Sequence, residues 1–151
     1  MGFIRHATIN LEDWKASNVR KPLILRGARQ VGKTTMVREF SKNYKNHISL
    51  NLEKPADRAI FETYDDVATL VEALFLSNNI DPKQQDNTLL FIDEIQELPK
   101  AIQSLRYFFE EVPDLHVIAA GSLLEFAMKD VESFPVGRIE YLYLHPLNFQ
   151  E

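Results

Sequence analysis

Residues 27–34 read Gly27-Ala28-Arg29-Gln30-Val31-Gly32-Lys33-Thr34 and match the pattern G-x-x-x-x-G-K-[ST] without a gap. Glycines let the backbone turn tightly, so that successive N–H groups point into one hollow of the size of an anion. The stretch therefore predicts a phosphate-binding loop, in which Lys33 reaches the β- and γ-phosphates of a nucleotide and the Thr34 hydroxyl binds magnesium. We expect the nucleotide to contact Gly27, Ala28, Arg29, Gln30, Val31, Gly32, Lys33, Thr34 and Thr35.

The sequence on either side of this loop has the context that phosphate binding requires. Residues 22–26 (P-L-I-L-R) form a short apolar run that predicts a buried strand ending at Gly27. Residues 33–44 follow with apolar side chains at helical spacing, and the N-terminal end of such a helix favours an anion. An ordinary glycine-rich turn before a helix is the alternative, but the complete strand, loop and helix favour phosphate binding.

A second motif lies at residues 89–94 (L-L-F-I-D-E), where four apolar residues precede two acids. We expect Asp93, at the end of a buried strand beside the strand of the phosphate-binding loop, to hold magnesium directly or through water. Glu94 is then placed to orient or deprotonate an attacking water molecule. Acids are common at strand ends, so this motif alone would be a weak indication of a catalytic site. Its position after the phosphate-binding loop makes the functional interpretation the stronger one.

Ser122 and Arg138 are two further candidates for contact with the γ-phosphate, and each also has a purely structural interpretation. Ser122 follows the apolar run at residues 115–120, where a polar side chain either senses the γ-phosphate or caps the next helix. Arg138 precedes the last apolar run and either stabilises the γ-phosphate as an arginine finger, from its own subunit or a neighbour, or forms a surface ion pair. The residues alone leave both questions open.

Along the rest of the chain, short apolar runs alternate with helical patterns. Further strands are predicted at residues 47–52, 88–92, 115–120 and 139–144, and helices near 55, at 66–77, from 99 and at 122–129, with a polar turn at 78–87. In the helix that begins at Pro99, the predicted inner face holds Ile102, Leu105 and Phe109. Such alternation predicts an α/β domain with a mostly parallel sheet covered by helices on both faces.

Length and composition favour a single globular domain and exclude several other classes of protein. A chain of 151 residues with 45% hydrophobic residues suits one globular domain. The absence of cysteine excludes disulfides and thiolate metal sites and fits a reducing cytoplasm. No apolar run approaches the roughly 18 residues that a membrane span needs, so we expect no membrane contact. The four histidines, His6, His47, His116 and His145, lack the spacing of a metal site and are predicted to be structural or exposed.

The net charge of −5 conceals a difference between the two parts of the chain. Residues 1–50 contain ten Lys and Arg against three acids, whereas the rest contains seven against nineteen. Because the basic part surrounds the predicted phosphate-binding loop, attraction of a polyphosphate is the more economical interpretation. A nucleic-acid surface is the alternative, and no other sequence feature supports it.

Four stretches together resemble a prokaryotic family of AAA-type ATPases, from Trp14 to the end of the chain. They are G-A-R-Q-V-G-K-T-T at 27–35, L-L-F-I-D-E-I-Q at 89–96, A-A-G-S-L-L at 119–124 and F-P-V-G-R-I-E-Y-L-Y-L-H-P-L-N-F at 134–149. The resemblance implies a five-stranded parallel sheet with the loop strand central and next to the sensor strand. It also implies Walker A roles for Lys33 and Thr34, Walker B roles for Asp93 and Glu94, and a sensor-one role for Ser122.

In that family the ATPase core is followed by a C-terminal domain of unknown function. The resemblance thus implies that residues 1–151 are an N-terminal ATPase core, with a helical lid and the C-terminal domain lying beyond Glu151. The expected function is magnesium-dependent hydrolysis of ATP to ADP and phosphate, coupled to movement of that domain or of a partner, which includes further copies of the chain.

Other nucleotide-binding classes fit the sequence less well. A GTPase would need an Asn-Lys-x-Asp guanine-recognition motif, which the sequence lacks. A small-molecule kinase usually lacks the paired Asp-Glu, because its acceptor is a substrate hydroxyl rather than water. The stronger rival is a nucleotide-gated switch that binds ATP with little turnover. Replacing Glu94 by Gln separates the two, since only an ATPase loses turnover on this change.

Overall fold

A computed structural model describes residues 2–27, 32–121 and 137–144, with side chains from residue 9 to residue 142 within those ranges. Its helices are α1 (Gly2–Ala16), α2 (Lys33–Phe40), α3 (Pro55–Thr63), α4 (Val67–Ser77) and α5 (Pro99–Glu111). Its strands are β1 (Leu23–Gly27), β2 (Asn46–Asn51), β3 (Thr88–Asp93), β4 (His116–Ala120) and β5 (Glu140–Leu144). Short 3₁₀ turns cover Ser41–Asn43, Pro82–Asn87 and Ile95–Glu97.

The five strands form one parallel sheet in the order β2-β3-β4-β1-β5. This confirms the predicted α/β class and the predicted neighbour relation between the loop strand β1 and the strand β4. Two details of the prediction were wrong. The central strand is β4 rather than β1, and β3 does not lie beside β1, because β4 separates them.

Helices cover both faces of the sheet because alternate strand residues point to opposite sides. On one face, residues such as Leu25 and Phe91 pack with side chains of α1 and α2. On the other face, their neighbours Ile24 and Ile92 pack with side chains of α3, α4 and α5. The result is a three-layer arrangement in which the carboxyl ends of all five parallel strands lie at one edge of the sheet.

Most helices begin where the sequence predicted. Asp66 caps α4, since its carboxylate accepts a hydrogen bond from the Thr69 N–H at 3.0 Å. Pro99 occupies the first turn of α5, as predicted. The inner face of α5 differs by one position, because Phe108 is buried and Phe109 is only partly buried.

Three other differences concern short or weakly patterned segments. The segment predicted as a polar turn contains the 3₁₀ turn at Pro82–Asn87, which Asp81 caps through the Lys83 N–H. The sequence analysis did not anticipate α1 or the 3₁₀ turn at Ile95–Glu97. The predicted helix at 122–129 lies outside the described residues.

A buried cluster of polar and aromatic side chains connects α1 and β4 with Tyr44, which follows the 3₁₀ turn at Ser41–Asn43. His116, only 4% exposed, shares a hydrogen bond of 2.6 Å between its Nδ1 and the Tyr44 hydroxyl. Trp14 packs edge-on against the His116 ring at 5.7 Å between centroids. Burial, and after it the positive charges of Arg20 and Lys15, lower the pKa of His116 to about 3. His116 is therefore a neutral structural residue, as the sequence analysis predicted.

The stability of the fold is expected to fall in acid because of His116. Unfolded His116 titrates near 6.5 and the folded residue near 3, so below about pH 6.5 the unfolded chain binds a proton that the folded chain does not. The stabilisation is complete above that pH and is lost as the pH falls toward 3, at up to about 1.4 kcal/mol per pH unit. Urea unfolding between pH 7 and 5 measures this slope.

A matched pair of variants isolates the histidine responsible. His116→Gln is expected to flatten the slope of unfolding free energy against pH. His47→Gln removes a surface histidine whose pKa is lowered by desolvation and by Arg38, and its effect on the slope is expected to be smaller. Equal slopes in wild type and His116→Gln would contradict the assignment.

Candidate nucleotide-binding site

The site is built at the carboxyl edge of the sheet, where the chain leaves β1 and enters α2. Gly27 ends β1 with φ 148° and Gly32 precedes α2 with φ 75°, values that favour glycine over other residues. Gly32 is the N-cap of α2 and gives no side-chain cap to the first turn of the helix. The N–H groups of that turn are therefore presented toward the loop, as an anion site requires. Ala28, Arg29, Gln30 and Val31 lie outside the described residues.

Lys33 is the first residue of α2 and its side chain is 7% exposed. Its ammonium donates to the backbone oxygen of Gly27 at 2.8 Å and to that of Gly121 at 3.4 Å. Burial lowers the pKa of Lys33, and the negative charges of Glu94 and then Asp93 oppose this. The cation is thus held between the end of β1 and the end of β4, within the field of both predicted Walker B carboxylates.

Thr34 and Asp93 meet across 59 residues of sequence. The Thr34 hydroxyl donates to Asp93 Oδ2 at 2.8 Å. The two side chains reach each other although β4 separates β3 from β1. The last residues of β4 and the residue after it are small (Ala119, Ala120 and Gly121), which leaves this edge of the sheet open. The structure therefore brings together the two residues predicted to bind magnesium.

These two oxygen atoms suit a magnesium ion by donor type and by spacing. Magnesium prefers carboxylate, hydroxyl and water oxygen atoms in an octahedron with bonds of about 2.0–2.1 Å, so adjacent ligand atoms are about 2.9 Å apart. The separation of Thr34 Oγ1 and Asp93 Oδ2 is 2.8 Å. The other Asp93 oxygen, Oδ1, accepts a hydrogen bond from the Glu94 N–H at 2.9 Å, which fixes the orientation of the carboxylate.

Glu94 follows β3 in a left-handed backbone conformation (φ 53°, ψ 45°). This conformation is unfavourable for a residue with a side chain, and such outliers concentrate at functional sites. It turns the chain from β3 into the 3₁₀ turn at Ile95–Glu97. There the Gln96 Nε2 donates to Glu94 Oε2 at 2.7 Å. The predicted water-orienting carboxylate is thus held by its own turn.

Two further acids surround Glu94 that the sequence analysis did not identify. Carboxylate oxygen atoms of Glu53, Glu94 and Glu97 lie within 4.8 Å of one another. Glu53 follows β2, which neighbours β3 in the sheet, so this proximity depends on strand order rather than on a sequence motif. The acids make this side of the site strongly negative.

The two less certain candidates are Ser122 and Arg138. Ser122 lies directly after Gly121 but outside the described residues. Arg138 forms an ion pair with Glu110 at the amino end of β5. Because Glu140 pairs in register with Leu23 at the start of β1, Arg138 is at the opposite end of the strands from the loop, roughly 13 Å or more away by strand length. A role for Arg138 at the site of a neighbouring copy stays a prediction.

In the aromatic run of α5, Phe108 is fully buried, Phe109 is partly buried and Tyr107 is 44% exposed. Within the described part of the chain, none of the helices has both the length and the apolar character needed to cross a membrane.

Comparison with known proteins gives one family. The model of a family described as "AAA domain" matches residues 19–151, which is most of the chain and includes the loop, β3 and β4. Among curated proteins, none matches the chain. The five-stranded parallel sheet with helices on both faces agrees with the family match. The chain therefore belongs to the family of AAA-type ATPases.

Proposed function

We propose that this chain binds ATP together with magnesium at the edge of the sheet formed by β1, β4 and β3, and hydrolyses it to ADP and phosphate. The observation that carries the proposal is the 2.8 Å contact between Thr34 and Asp93, which joins the predicted Walker A and Walker B motifs in one site. The match to the AAA domain family supports ATP as the nucleotide, since members of that family generally use ATP and magnesium.

The roles of the residues follow from charge and position. Lys33 and the loop amides bind the phosphates, and the phosphate oxygen atoms replace the backbone oxygens of Gly27 and Gly121 as acceptors for the Lys33 ammonium. Thr34 and Asp93 would hold a magnesium ion, which would supply positive charge to neutralise the phosphates. Arg29 and Thr35, which flank these residues, belong to the same proposed nucleotide contact.

Glu94 acts on the attacking water molecule. Its carboxylate accepts a proton from the water as the water oxygen bonds to the γ-phosphorus and the bond to the β-γ bridging oxygen breaks. Ser122, the second residue after the end of β4, is the proposed sensor of the γ-phosphate. Coupling of this reaction to movement of a C-terminal domain or a protein partner is part of the same proposal and rests on the family resemblance.

Thr34→Val tests the magnesium site, because it removes the hydroxyl and keeps the size of the side chain. ATP affinity in the presence of magnesium is expected to fall by about tenfold, equivalent to about 1.4 kcal/mol. Affinity for ATP in EDTA is expected to change little, since the phosphates retain Lys33 and the loop. Titration calorimetry of the full chain measures both affinities.

The matched control is Thr63→Val, which removes the hydroxyl of an exposed threonine at the end of α3. It is expected to bind ATP as wild type does under both conditions. If Thr34→Val and wild type show the same gain in affinity on adding magnesium, the proposed metal site is wrong.

A further inference from the structure

We propose that Gln96 is a positioning residue that holds the Glu94 carboxylate in place for attack by water. The inference rests on the proposed ATP hydrolysis and deepens it. Its basis is the 2.7 Å hydrogen bond from Gln96 Nε2 to Glu94 Oε2. An ionised carboxylate only accepts hydrogen bonds, so the amide nitrogen of Gln96 must face it. The contact therefore fixes both the orientation of the Gln96 amide and the place of one Glu94 oxygen.

The oxygen of the same amide packs against the end of β4, where it accepts no hydrogen bond from the described residues. Gln96 Oε1 is buried, and a Cβ atom added at Gly121 would lie 2.1 Å from it. Only a glycine at position 121 leaves room for the amide where it stands. Gln96 is thus fitted between the residue that ends β4 and the Glu94 carboxylate, and it cannot move toward β4 without a clash.

Glu94 needs such a support because its surroundings are negative. The carboxylates of Glu53 and Glu97 lie within 4.8 Å of Glu94 and repel it. The left-handed backbone of Glu94, held by the Asp93 carboxylate through the Glu94 N–H, orients the start of the side chain but not its end. The Gln96 amide supplies the donor that holds the end.

The position of Gln96 also links Glu94 to the phosphate-binding lysine. Lys33 donates to the backbone oxygen of Gly121, the residue against which Gln96 packs. The end of β4 is therefore in contact with both the group that binds phosphate and the group that positions Glu94. The position that Glu94 needs for hydrolysis therefore depends on the contacts that Gly121 makes with Lys33 and with Gln96, and not on Glu94 alone.

Gln96→Met tests the inference, because methionine has a similar length but no amide. We expect kcat for ATP hydrolysis to fall by about tenfold, as for the loss of one charge-assisted hydrogen bond, while KM and the affinity for ATP with magnesium stay within about twofold. Gln103→Met, at a partly buried glutamine of α5, is the control and should leave kcat unchanged. An unchanged kcat in Gln96→Met would overturn the inference.

Two further variants separate positioning from a general effect on the fold. In Glu94→Gln, adding Gln96→Met is expected to cause no further loss of single-turnover rate, because the carboxylate that Gln96 positions is already absent. An additional tenfold loss in the double variant would overturn the inference. Gly121→Ala displaces the amide from the opposite side, and its backbone is not in the left-handed region. It should reproduce the fall in kcat even if Gln96→Met folds poorly.

Failure of this inference is distinguishable from failure of the proposed function. If wild type hydrolyses ATP and a folded Gln96→Met variant is not slower, Gln96 has no positioning role and the proposed function stands. If wild type itself binds no ATP or releases no phosphate, both proposals are overturned together.

Discussion

Replacing Glu94 by Gln is expected to lower the turnover of ATP by about 10²–10³-fold, within the range that a positioned general base contributes. The amide cannot accept the proton of the attacking water, but it is nearly the same size as the carboxylate. Lys33, Thr34 and Asp93 are unchanged, so the affinity for ATP with magnesium should be kept or slightly increased, because one negative charge near the phosphates is gone. Phosphate release and nucleotide titration measure the two quantities separately.

Glu97→Gln is the matched control for charge. Glu97 belongs to the same acidic cluster as Glu94, but it is exposed and is not assigned a part in the reaction. Its replacement removes the same charge a few ångströms away and is expected to change turnover by less than about threefold, as for an exposed charge. A loss of turnover in Glu97→Gln equal to that in Glu94→Gln would show that net charge, rather than the Glu94 carboxylate, determines the rate.

The second large effect is expected at Lys33. Lys33→Met keeps the length and the apolar stem of the side chain and removes the ammonium. Hydrogen bonds from an ammonium to phosphate contribute about 1.5–3 kcal/mol, so ATP affinity should fall by roughly 10–100-fold or more. Turnover should be lost as well. The fold itself should be retained or stabilised, because burial of the charged group, which lowers the pKa of Lys33, no longer costs free energy.

The control for Lys33 is an exposed lysine of the same basic part of the chain. Lys45→Met removes a cation from the segment between α2 and β2. If general attraction of polyphosphate by the basic first third caused the binding, the two variants would lose similar affinity. We expect Lys45→Met to bind ATP with nearly wild-type affinity at physiological salt, where exposed charges are screened.

The strands and the identities of the site residues could be predicted from local sequence. Apolar runs of four to six residues mark β1, β3 and β4, because strands covered on both faces contain few polar residues. The sequence motifs identified Lys33, Thr34, Asp93 and Glu94, and the structure places these side chains together.

Strand order could not be predicted in the same way. We predicted β3 beside β1, but β4 lies between them. The residues of β3 alone do not indicate which strand is its neighbour. The small residues Ala119, Ala120 and Gly121 at the end of β4 are a signal in retrospect, because they leave space for contacts between the ends of β1 and β3. The N-terminal helix was missed because few of its described side chains, Leu11 and Trp14, are buried.

The parts of the site that were not foreseen depend on turn geometry. The left-handed conformation of Glu94 brings Gln96 back onto its carboxylate, and the contact between Gln96 and Gly121 joins segments 25 residues apart in sequence. Residues of ordinary composition in such turns carry no periodic pattern. Only their three-dimensional arrangement indicates that Gln96 belongs to the same site as the two sequence motifs.

The central claim is tested most directly by phosphate release from ATP by the wild-type chain, with magnesium and with EDTA. We expect several turnovers per chain with magnesium and none above the protein-free background in EDTA. A folded chain that binds ATP with magnesium yet releases no phosphate would contradict hydrolysis and favour the nucleotide-gated switch. A folded chain that binds no ATP at all would contradict the nucleotide site itself.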